Sequence, residues 1–433
     1  SFPNWIFALH FYRNSPYLTD VLFDRLQHYI YWQIKHVYSN IAFSRIAVRN
    51  NHALTETLMI FIGGLLFPKF HESAEWKKRG KQWFEEEINY QIYEDGTFLQ
   101  FSMNYHRVVV QLLTWGIKLA EISDEQFSPA IYNKANKSLQ FLLNCMNEET
   151  GWLPNYGNND GALFFKLNDA HFRDFRPQLE ALSYVLGLTW KYKTFEDIIW
   201  YGLKMPQGPS IEIQKGVNVY DDGGYYLFRN AHALNFIRCG NHKDRPGQAD
   251  NLHMDLWIGD KNVLHDGGTY KYNSIPQDLK YFLGTRSHNT IMLGDHDQMK
   301  KGSRFIWYNW TQCEEAITEE TAEYHLFRGT IDAFKELGKG IKHHRTVKIF
   351  KHEYVWEIED RVSNKPSSLP IHQLWHTVYP EHLTFECKDG NEKIVTPLQH
   401  ISESSPLYGL KETCTEFNFT TLSDSIRTTI NFK

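Results

Sequence analysis

Pro206-Gln-Gly-Pro-Ser210 separates two stretches of this sequence whose hydrophobic residues recur with different periods. Before it, apolar residues lie at helical spacing from Leu54 to Leu65 and again from Val108 to Ile122. After it, runs such as Tyr354-Val-Trp-Glu-Ile-Glu359 alternate between apolar and polar residues, as β-strands do. Prolines and a glycine in so short a segment are typical of a linker. The residue pattern therefore predicts helices first and strands second.

This change of period also predicts two domains. With 433 residues, the chain exceeds what one hydrophobic core commonly serves. Helices followed by strands are typical of separately layered domains. We expect antiparallel helix pairs over residues 1–205 and an antiparallel β-sandwich over residues 206–433, which is an α + β multidomain fold. Within the second half, Gly259-Asp260 is typical of a hairpin turn.

The composition argues against several classes of protein. The formal net charge of −5 provides no basic surface for nucleic acid, so an acidic glycan would need a local site. No apolar run is long enough to span a bilayer. The five cysteines lack CxxC spacing, which argues against a disulfide framework or a cysteine zinc site. Aromatic residues make up 15% of the chain, which suits sugar-stacking surfaces, although ordinary cores account for most of them.

Polar residues concentrate at four breaks between the regular segments, where functional residues often lie. Residues 49–52 precede an apolar helix, and helix capping by an asparagine explains part of that group. Residues 95–106 place more polar side chains at a helix start than capping needs. Residues 152–161 form a loop, rich in glycine and asparagine, that can present Tyr156 to a cleft. Residues 245–289 carry His, Asp and Arg on adjacent predicted strands.

The order of these polar groups resembles that of a known family. In chain order they are Asp95-Gly96, Tyr105-His106, Asn155-Tyr-Gly-Asn-Asn-Asp160, Gln248-Ala-Asp250, Asp266-Gly-Gly-Thr-Tyr270, Ser287-His-Asn-Thr290 and Asp297-Gln298. Together they are similar to the heparinase II/III-like family of polysaccharide lyases, which cleave uronic-acid polymers by β-elimination. The resemblance implies an incomplete (α/α) toroid followed by an antiparallel β-sandwich, in agreement with the periodicity.

The resemblance also implies catalytic roles. Elimination beside a uronate needs neutralisation of the carboxylate, a base for the C5 proton and an acid for the departing O4. Asn104 and His106 match the residues that serve the carboxylate. Tyr156 matches the acid and base, and His253 is the candidate from the sandwich domain. The positions that the resemblance assigns to substrate binding are Arg49, Asn51, His52, Tyr105, Asn158, Asn159, Asp160, Arg245, Gln248, Tyr270 and His288.

Two positions depart from the family pattern. Relatives carry a catalytic histidine where this chain has Pro246, and a zinc-binding histidine where it has Gln248. Asp266 and His288 match the other two zinc ligands. Because glutamine is a poorer zinc ligand than imidazole, we expect that no cofactor is required, and a structural zinc at Asp266 and His288 is left open.

The expected partner is an acidic polysaccharide or oligosaccharide, without nucleic acid or a membrane span. The family resemblance favours the periplasm, although the sequence from Ser1 shows no signal peptide.

Two other functions stay open at this point. The departures from the family pattern suit a non-catalytic glycan-binding or surface-polysaccharide assembly protein. A glycoside hydrolase on the same scaffold would need two carboxylates across a cleft. The carboxylates available for such a pair are Asp95, Asp160, Asp250 and Asp255.

Overall fold

The computed structural model describes residues 2–433, with helices in the first half of the chain and antiparallel strands in the second. A π-helical turn, Phe43–Val48, follows the second helix directly. The helices are α1 (Phe2–Phe11), α2 (Asp20–Ala42), α3 (Asn51–Leu66), α4 (Ser73–Gln91), α5 (Met103–Glu121), α6 (Pro129–Cys145), α7 (Arg176–Val185), α8 (Asp197–Trp200) and α9 (Pro276–Leu283).

The strands begin after residue 215 and pair only in antiparallel fashion within the described sheets. They are β1 (Gly216–Tyr220), β2 (Tyr225–Arg229), β3 (Ala233–Arg238), β4 (Met254–Ile258), β5 (Lys261–Leu264), β6 (Ile291–Leu293), β7 (Lys300–Lys301), β8 (Trp307–Tyr308), β9 (Gln312–Glu320), β10 (Tyr324–Asp332), β11 (Lys342–Phe350), β12 (Val355–Ser363), β13 (Ile371–Thr377), β14 (Leu383–Asp389), β15 (Leu398–Ser404), β16 (Glu412–Thr421) and β17 (Ser425–Phe432).

One compact unit consists of the chain up to Ile92 together with Val108–Asn136. Its core includes the predicted apolar face of α3, with Leu54 and Leu58 fully buried. α3 and α4 approach each other closely, because a side chain on Gly64 or Gly80 would overlap the backbone of the other helix. Glycine at these two points therefore allows the backbones of the two helices to pack in direct contact.

The second compact unit consists of Tyr93–Arg107 and Lys137–Lys433 and contains all the strands. β1 to β5 form a sheet in chain order. A six-stranded sheet has the order β14-β17-β12-β11-β10-β9, and a four-stranded sheet has the order β15-β16-β13-β6. β7 and β8 form a separate hairpin. One hydrophobic core draws residues from the three larger sheets, including Leu256, Trp356 and Trp375.

The burial pattern of the strands explains where polar residues can gather. β11 alternates buried and half-buried residues, as expected for a strand with one face in the core. In contrast, every residue of β3 and β4 is buried, so both faces of these strands are covered. His253 and Asp255, at the start of β4, are therefore enclosed by protein and need partners there.

The predicted change from helices to antiparallel strands is confirmed, and so is the hairpin turn at Gly259, which joins β4 to β5. Ile122, predicted as the last apolar residue of its helix, lies one residue beyond α5 and is exposed. The domain boundary between residues 205 and 206 stays a prediction. In the described part of the chain, no helix has the length and apolar character needed to cross a membrane.

Candidate functional site

Tyr156 lies in a loop that other backbone segments hold tightly. Its carbonyl accepts a hydrogen bond from the Met103 amide at 3.1 Å. The next residue, Gly157, has φ +81°, and a side chain there would overlap the Phe101 carbonyl. The Gly157 carbonyl accepts a hydrogen bond from the Thr269 hydroxyl at 3.1 Å. Only glycine combines a positive φ with so close a contact to the Phe101 carbonyl. Gly157 therefore holds the backbone next to Tyr156 in one conformation.

The Tyr156 side chain is buried, and its hydroxyl makes no hydrogen bond of ordinary geometry among residues 2–433, although the Asp250 carboxylate lies close enough to interact with it. The ring packs against Tyr225, Phe236 and His253, with centroid separations of 5.9, 5.3 and 6.1 Å. Burial, and then the Asp250 carboxylate, raise the pKa of Tyr156 well above its usual value. Tyr156 is therefore a phenol at neutral pH, with a proton that it can donate.

Asn104, near the start of α5, offers a second buried group without a partner. Its Oδ1 accepts a hydrogen bond from Arg107 at 2.6 Å, which fixes the orientation of the amide. Its Nδ2 has no hydrogen-bond partner in the described part of the chain. Asn104 and Tyr156 line the same small cavity, together with Asn159 and Arg173. An oriented N–H donor and a free hydroxyl thus share one site.

His106 lies in an aromatic layer behind this cavity. Its ring stacks on Phe141 at 5.6 Å and lies 5.7 Å from Phe98, and only 2% of the residue is exposed. Burial lowers the pKa of His106 to about 3, so the imidazole is neutral. Phe141 packs on Tyr225, which in turn packs on Tyr156. His106 therefore supports the site through rings and does not line the cavity with Asn104.

His253, Asp266 and His288 form a second buried cluster, in which the possible ligand atoms all lie within 4.8 Å of one another. His288 Nδ1 lies 2.8 Å from Asp266 Oδ2, and His253 Nε2 lies 3.6 Å from the same oxygen. His253 Nδ1 accepts the Asn289 N–H at 3.0 Å. A neutral imidazole with an acceptor at Nδ1 carries its proton on Nε2.

This proton arrangement bears on the zinc that the family resemblance implied. His253 is a poor replacement for the absent histidine, because its Nδ1 accepts the Asn289 N–H and this hydrogen bond favours the tautomer with the proton on Nε2. Gln248 donates from Nε2 to the Gly268 carbonyl at 3.2 Å and to the Phe282 carbonyl at 2.9 Å. Gln248 Oε1 and the Nε2 atoms of His253 and His288 have no hydrogen-bond partner in the described chain. His253 would have to lose its hydrogen bond with the Asn289 N–H to ligate a metal through Nε2, and no chemical step below uses a metal.

The remaining predicted residues of the second unit lie around the loop of Tyr156. Tyr105 shares a hydrogen bond of 2.5 Å with the Tyr272 hydroxyl. The main-chain groups of Asn158 and Asn159 are held by the hydroxyls of Ser102 and Thr269. Asp160, in the same loop, is exposed and helps to raise the pKa of Tyr105. Two predicted residues lie elsewhere. Arg245 is exposed on the loop between β3 and β4, and the Tyr270 ring lies 5.5 Å from that of Phe282.

Arg49, Asn51 and His52 belong to the first compact unit. The Arg49 guanidinium lies over the Tyr90 ring at 3.2 Å, and its Nε is 3.6 Å from Glu87. Asn50 caps α3 by accepting the His52 N–H at 3.0 Å, as the sequence predicted. Asn51 is buried at the first position of α3, and the His52 side chain is exposed. Their role in substrate binding stays a prediction.

Three arginines near Tyr156 were not predicted. Arg107 donates to the Phe172 carbonyl and lies 4.3 Å from the rings of Phe172 and Phe175. Arg238 is fully buried and lies 4.6 Å over Phe101. Arg173 donates to the Leu153 carbonyl at 3.1 Å. Arg107 adjoins a recognised motif, but Arg173 and Arg238 have no distinguishing sequence signal.

Two sequence models of one family match the chain. The heparinase II/III N-terminus matches residues 4–175, and the heparinase II/III-like C-terminal model matches residues 212–405. A heparin-sulfate lyase of Bacteroides stercoris is 22% identical over 368 residues, which cover 82% of this chain and 49% of that protein. A heparin-sulfate lyase of Pedobacter heparinus is 21% identical over 403 residues, which cover 89% of this chain and 55% of that protein. The chain thus spans about half the length of the curated relatives it matches.

Solved structures share the fold. A heparinase III structure aligns with a TM-score of 0.75 at 16% identity, covering 100% of this chain and 68% of that one. A heparan sulfate lyase from Pedobacter heparinus aligns with a TM-score of 0.64 at 15% identity, covering 96% of this chain and 64% of that one. With both halves of the sequence matched by models of one family, and with the motifs around Tyr156 in the expected order, the chain belongs to the heparinase II/III-like family.

Proposed function

We propose that this protein is a polysaccharide lyase that cleaves a uronic-acid-containing polysaccharide by β-elimination. The observation that carries the proposal is the pairing of Asn104 Nδ2 and the Tyr156 hydroxyl, two buried polar groups without partners beside one cavity. Leaving a buried donor unsatisfied costs about 1–3 kcal/mol, so such groups are expected where a ligand completes them. Family membership and the names of the matched lyases support the same reaction.

Asn104 has the chemistry required at the uronate carboxylate. As negative charge develops at C5, it spreads into the carboxylate, and a fixed N–H donor stabilises it there. Arg107 holds the Asn104 amide through its Oδ1, so Nδ2 needs no reorientation during the reaction. A preorganised donor of this kind contributes about 10²–10³-fold to the rate. Arg173, which lines the same cavity, adds positive charge.

Tyr156 is proposed to move the proton. In its phenolate form the oxygen takes the proton from C5, the C4–O4 bond breaks as the C4–C5 double bond forms, and the new phenol protonates O4. Atoms and charge then return to the starting state of the enzyme. Arg238 lowers the pKa of Tyr156, whereas burial and Asp250 raise it more strongly. The phenol is therefore the resting form, and the phenolate forms once the hydroxyl proton has passed to solvent water.

His106 and His253 are proposed to act behind Tyr156. His106 is neutral and packed between aromatic rings, and His253 lies against the Tyr156 ring with both nitrogens engaged or protonated. We therefore assign to them the positioning of the catalytic groups. We also propose that the helical pairs form an incomplete (α/α) toroid and that the three larger sheets form a sandwich, as the family resemblance implies.

The proposal is tested by product analysis. The purified chain is incubated with a panel that includes heparan sulfate, chondroitin sulfate, alginate and a neutral glucan as the control. A lyase yields an ultraviolet-absorbing 4,5-unsaturated uronate, whose mass lacks one water relative to the hydrolysis product. Saturated fragments would instead indicate a glycoside hydrolase. Binding without cleavage of any member would indicate a glycan-binding protein, and either result would contradict the proposal.

A further inference from the structure

A second, larger cavity lies between α9 and the β7–β8 hairpin, outside the catalytic group. Its volume is about 510 Å³, within the range of about 300–1,000 Å³ that is usual for small-ligand sites. Its walls include an aromatic pair, Tyr272 and Phe305, and four charged residues. All of these residues belong to the second compact unit. The proposed chemistry at Tyr156 makes no use of them.

The charges around this cavity are predominantly positive. Lys280, Lys301 and Arg304 line it, against a single carboxylate, Asp297. Asp297 accepts the Thr285 N–H at 2.7 Å, so one of its oxygens already has a partner. Lys280 and Arg304 are exposed, and neither lies within salt-bridge distance of a carboxylate in the described chain, although the charge of Lys280 opposes the burial that raises the pKa of Asp297. Three cations against one carboxylate leave an excess of positive charge beside the cavity, which is suited to an anionic ligand.

The third cation is held in place by backbone groups. The Lys301 ammonium donates to the Gly302 carbonyl at 3.2 Å and to the Arg304 carbonyl. Its nitrogen also lies 5.1 Å from the centre of the Trp307 ring. These contacts fix the charge at the turn of the hairpin and leave one N–H of the ammonium for a ligand. The cavity therefore has one cation held by backbone groups as well as two exposed ones.

The aromatic wall suits a sugar ring. Tyr272 and Phe305 meet edge to face, with centroids 5.3 Å apart, and Phe305 is 43% exposed. The C–H face of a pyranose is apolar and packs on exposed aromatic rings, whereas its sulfate and carboxylate groups need cations. Because both kinds of contact occur in one cavity, its chemistry corresponds to that of a charged sugar.

A single hydrogen bond joins this cavity to the catalytic group. The Tyr272 hydroxyl lies 2.5 Å from that of Tyr105, the residue that follows Asn104 in α5. Another cavity, of about 270 Å³ and lined by Asn155, has an excess of negative charge, because Asp260, Asp266 and Glu412 line it against Arg173. Compared with that cavity, the one at Tyr272 combines excess positive charge with a hydrogen bond to the residue that follows Asn104 in α5.

We propose that this cavity is a subsite for an anionic sugar, one that carries sulfate or carboxylate, next to the sugar that is cleaved. This inference rests on the proposed lyase function, since it assigns the neighbouring unit of the same polymer. Lys280, Lys301 and Arg304 bind the anion, and Tyr272 with Phe305 packs against the ring. The subsite selects the substrate and leaves the proton transfer at Tyr156 unchanged.

The test replaces all three cations by glutamine (Lys280→Gln, Lys301→Gln and Arg304→Gln). The matched control replaces three exposed lysines outside both cavities, at Lys204, Lys215 and Lys393, which changes the net charge equally. On heparan sulfate, the subsite variant should show a KM raised about 10-fold with kcat within about 3-fold, because each exposed ion pair contributes modestly. The control should keep the KM of the unmodified chain.

Two further experiments distinguish sulfate from carboxylate as the bound anion, and failure of the subsite from failure of the lyase function. On chemically desulfated heparan, a loss of the KM difference identifies sulfate as the anion, and its persistence identifies carboxylate. In the Tyr156→Phe background, calorimetry with a heparan tetrasaccharide should show the same 10-fold weakening without any turnover. Equal KM and equal affinity for the subsite and control variants would overturn the subsite, even where elimination is observed. Weakened binding by a chain that never forms unsaturated product would refute the lyase function and retain the subsite.

Discussion

At the scale of single residues, the structure separates the groups that react from those that support them. Tyr156, Asn104 and His106 each keep a polar atom without a partner in the described chain. Of the three, only Tyr156 and Asn104 line the small cavity, whereas the His106 ring packs against Phe98 and Phe141. The sequence pattern could indicate all three residues, because each lies in a polar motif. It could not predict this division, because the division depends on which rings surround each residue after folding.

The burial of His106 predicts a pH dependence of stability. An unfolded histidine titrates near pH 6.5, whereas burial lowers the pKa of His106 to about 3. Between these values the unfolded chain holds one more proton, so stability is lost as the pH falls from about 6.5, by up to about 1.4 kcal/mol per pH unit. In His106→Phe this part of the slope should disappear. Urea unfolding between pH 7 and pH 4 measures it.

The control for this measurement is His52→Phe, which replaces an exposed histidine and should keep the slope of the unmodified chain. A slope that is the same with and without His106 would show that the imidazole is not buried in its neutral form.

The hydrogen bonding of His253 predicts that the chain holds no structural zinc. Elemental analysis should find far less than one zinc per chain, and EDTA should leave Tm and turnover unchanged. Gln248→His should supply the missing imidazole beside Asp266 and His288, and this variant should bind zinc with a higher Tm that EDTA reverses. One tightly held zinc in the unmodified chain would show that His253 does ligate metal.

At the scale of elements, the position of Tyr156 depends on the backbone of its loop. Gly157 combines φ +81° with direct contact to the Phe101 carbonyl. Gly157→Ala should lower the unfolding free energy by roughly 2–4 kcal/mol, through left-handed strain and overlap, and should abolish turnover by moving Tyr156. Thermal unfolding and the elimination assay measure the two effects.

A matched control exists at the end of α7. Gly187 has φ +75° with no atom within 4 Å of an added side chain, so Gly187→Ala carries only the left-handed strain, about 1–2 kcal/mol. Equal losses in the two variants, or full turnover in Gly157→Ala, would show that the contact with Phe101 does not position the loop.

At the scale of the whole molecule, a buried ion pair in the second unit holds the backbone next to His253 and His288. Arg345 forms two hydrogen bonds of 2.7 Å with Asp360. It also donates to the carbonyls of Leu252 and Asn289, which adjoin His253 and His288 in the chain. Arg345→Met should therefore lower the unfolding free energy by about 3–5 kcal/mol and reduce turnover as well.

The comparison for this variant is Arg328→Met, which removes an exposed partner of Glu319 and should cost at most about 1 kcal/mol. Chemical denaturation with turnover measured on the same samples gives both quantities. Similar losses in the two variants would mean that the buried pair does not support the strands around His253.

The order of helices and strands along the chain could be predicted from the sequence, but the pairing of the strands could not. The change from helical to strand periodicity at Pro206-Gln-Gly-Pro-Ser210 was sufficient to predict the two classes of structure, since periodicity reflects which faces are buried. Sheet order could not be predicted, because pairs such as β13 with β6 join distant segments. For the same reason the sequence did not indicate Arg238 or Tyr272, which become significant only after distant strands and loops meet.

The most direct test of the central claim compares Tyr156→Phe with Tyr225→Phe, a buried tyrosine in the same aromatic cluster. The initial rate of ultraviolet absorbance increase is recorded on the uronate polymer that the unmodified chain cleaves, with Tm for each variant. We predict that Tyr156→Phe lowers turnover at least ~10²-fold with little change in Tm, because its hydroxyl makes no hydrogen bond in the described structure, and that Tyr225→Phe retains most of the turnover. Full turnover by Tyr156→Phe, or a loss of turnover matched by a loss of Tm, would contradict proton transfer by Tyr156.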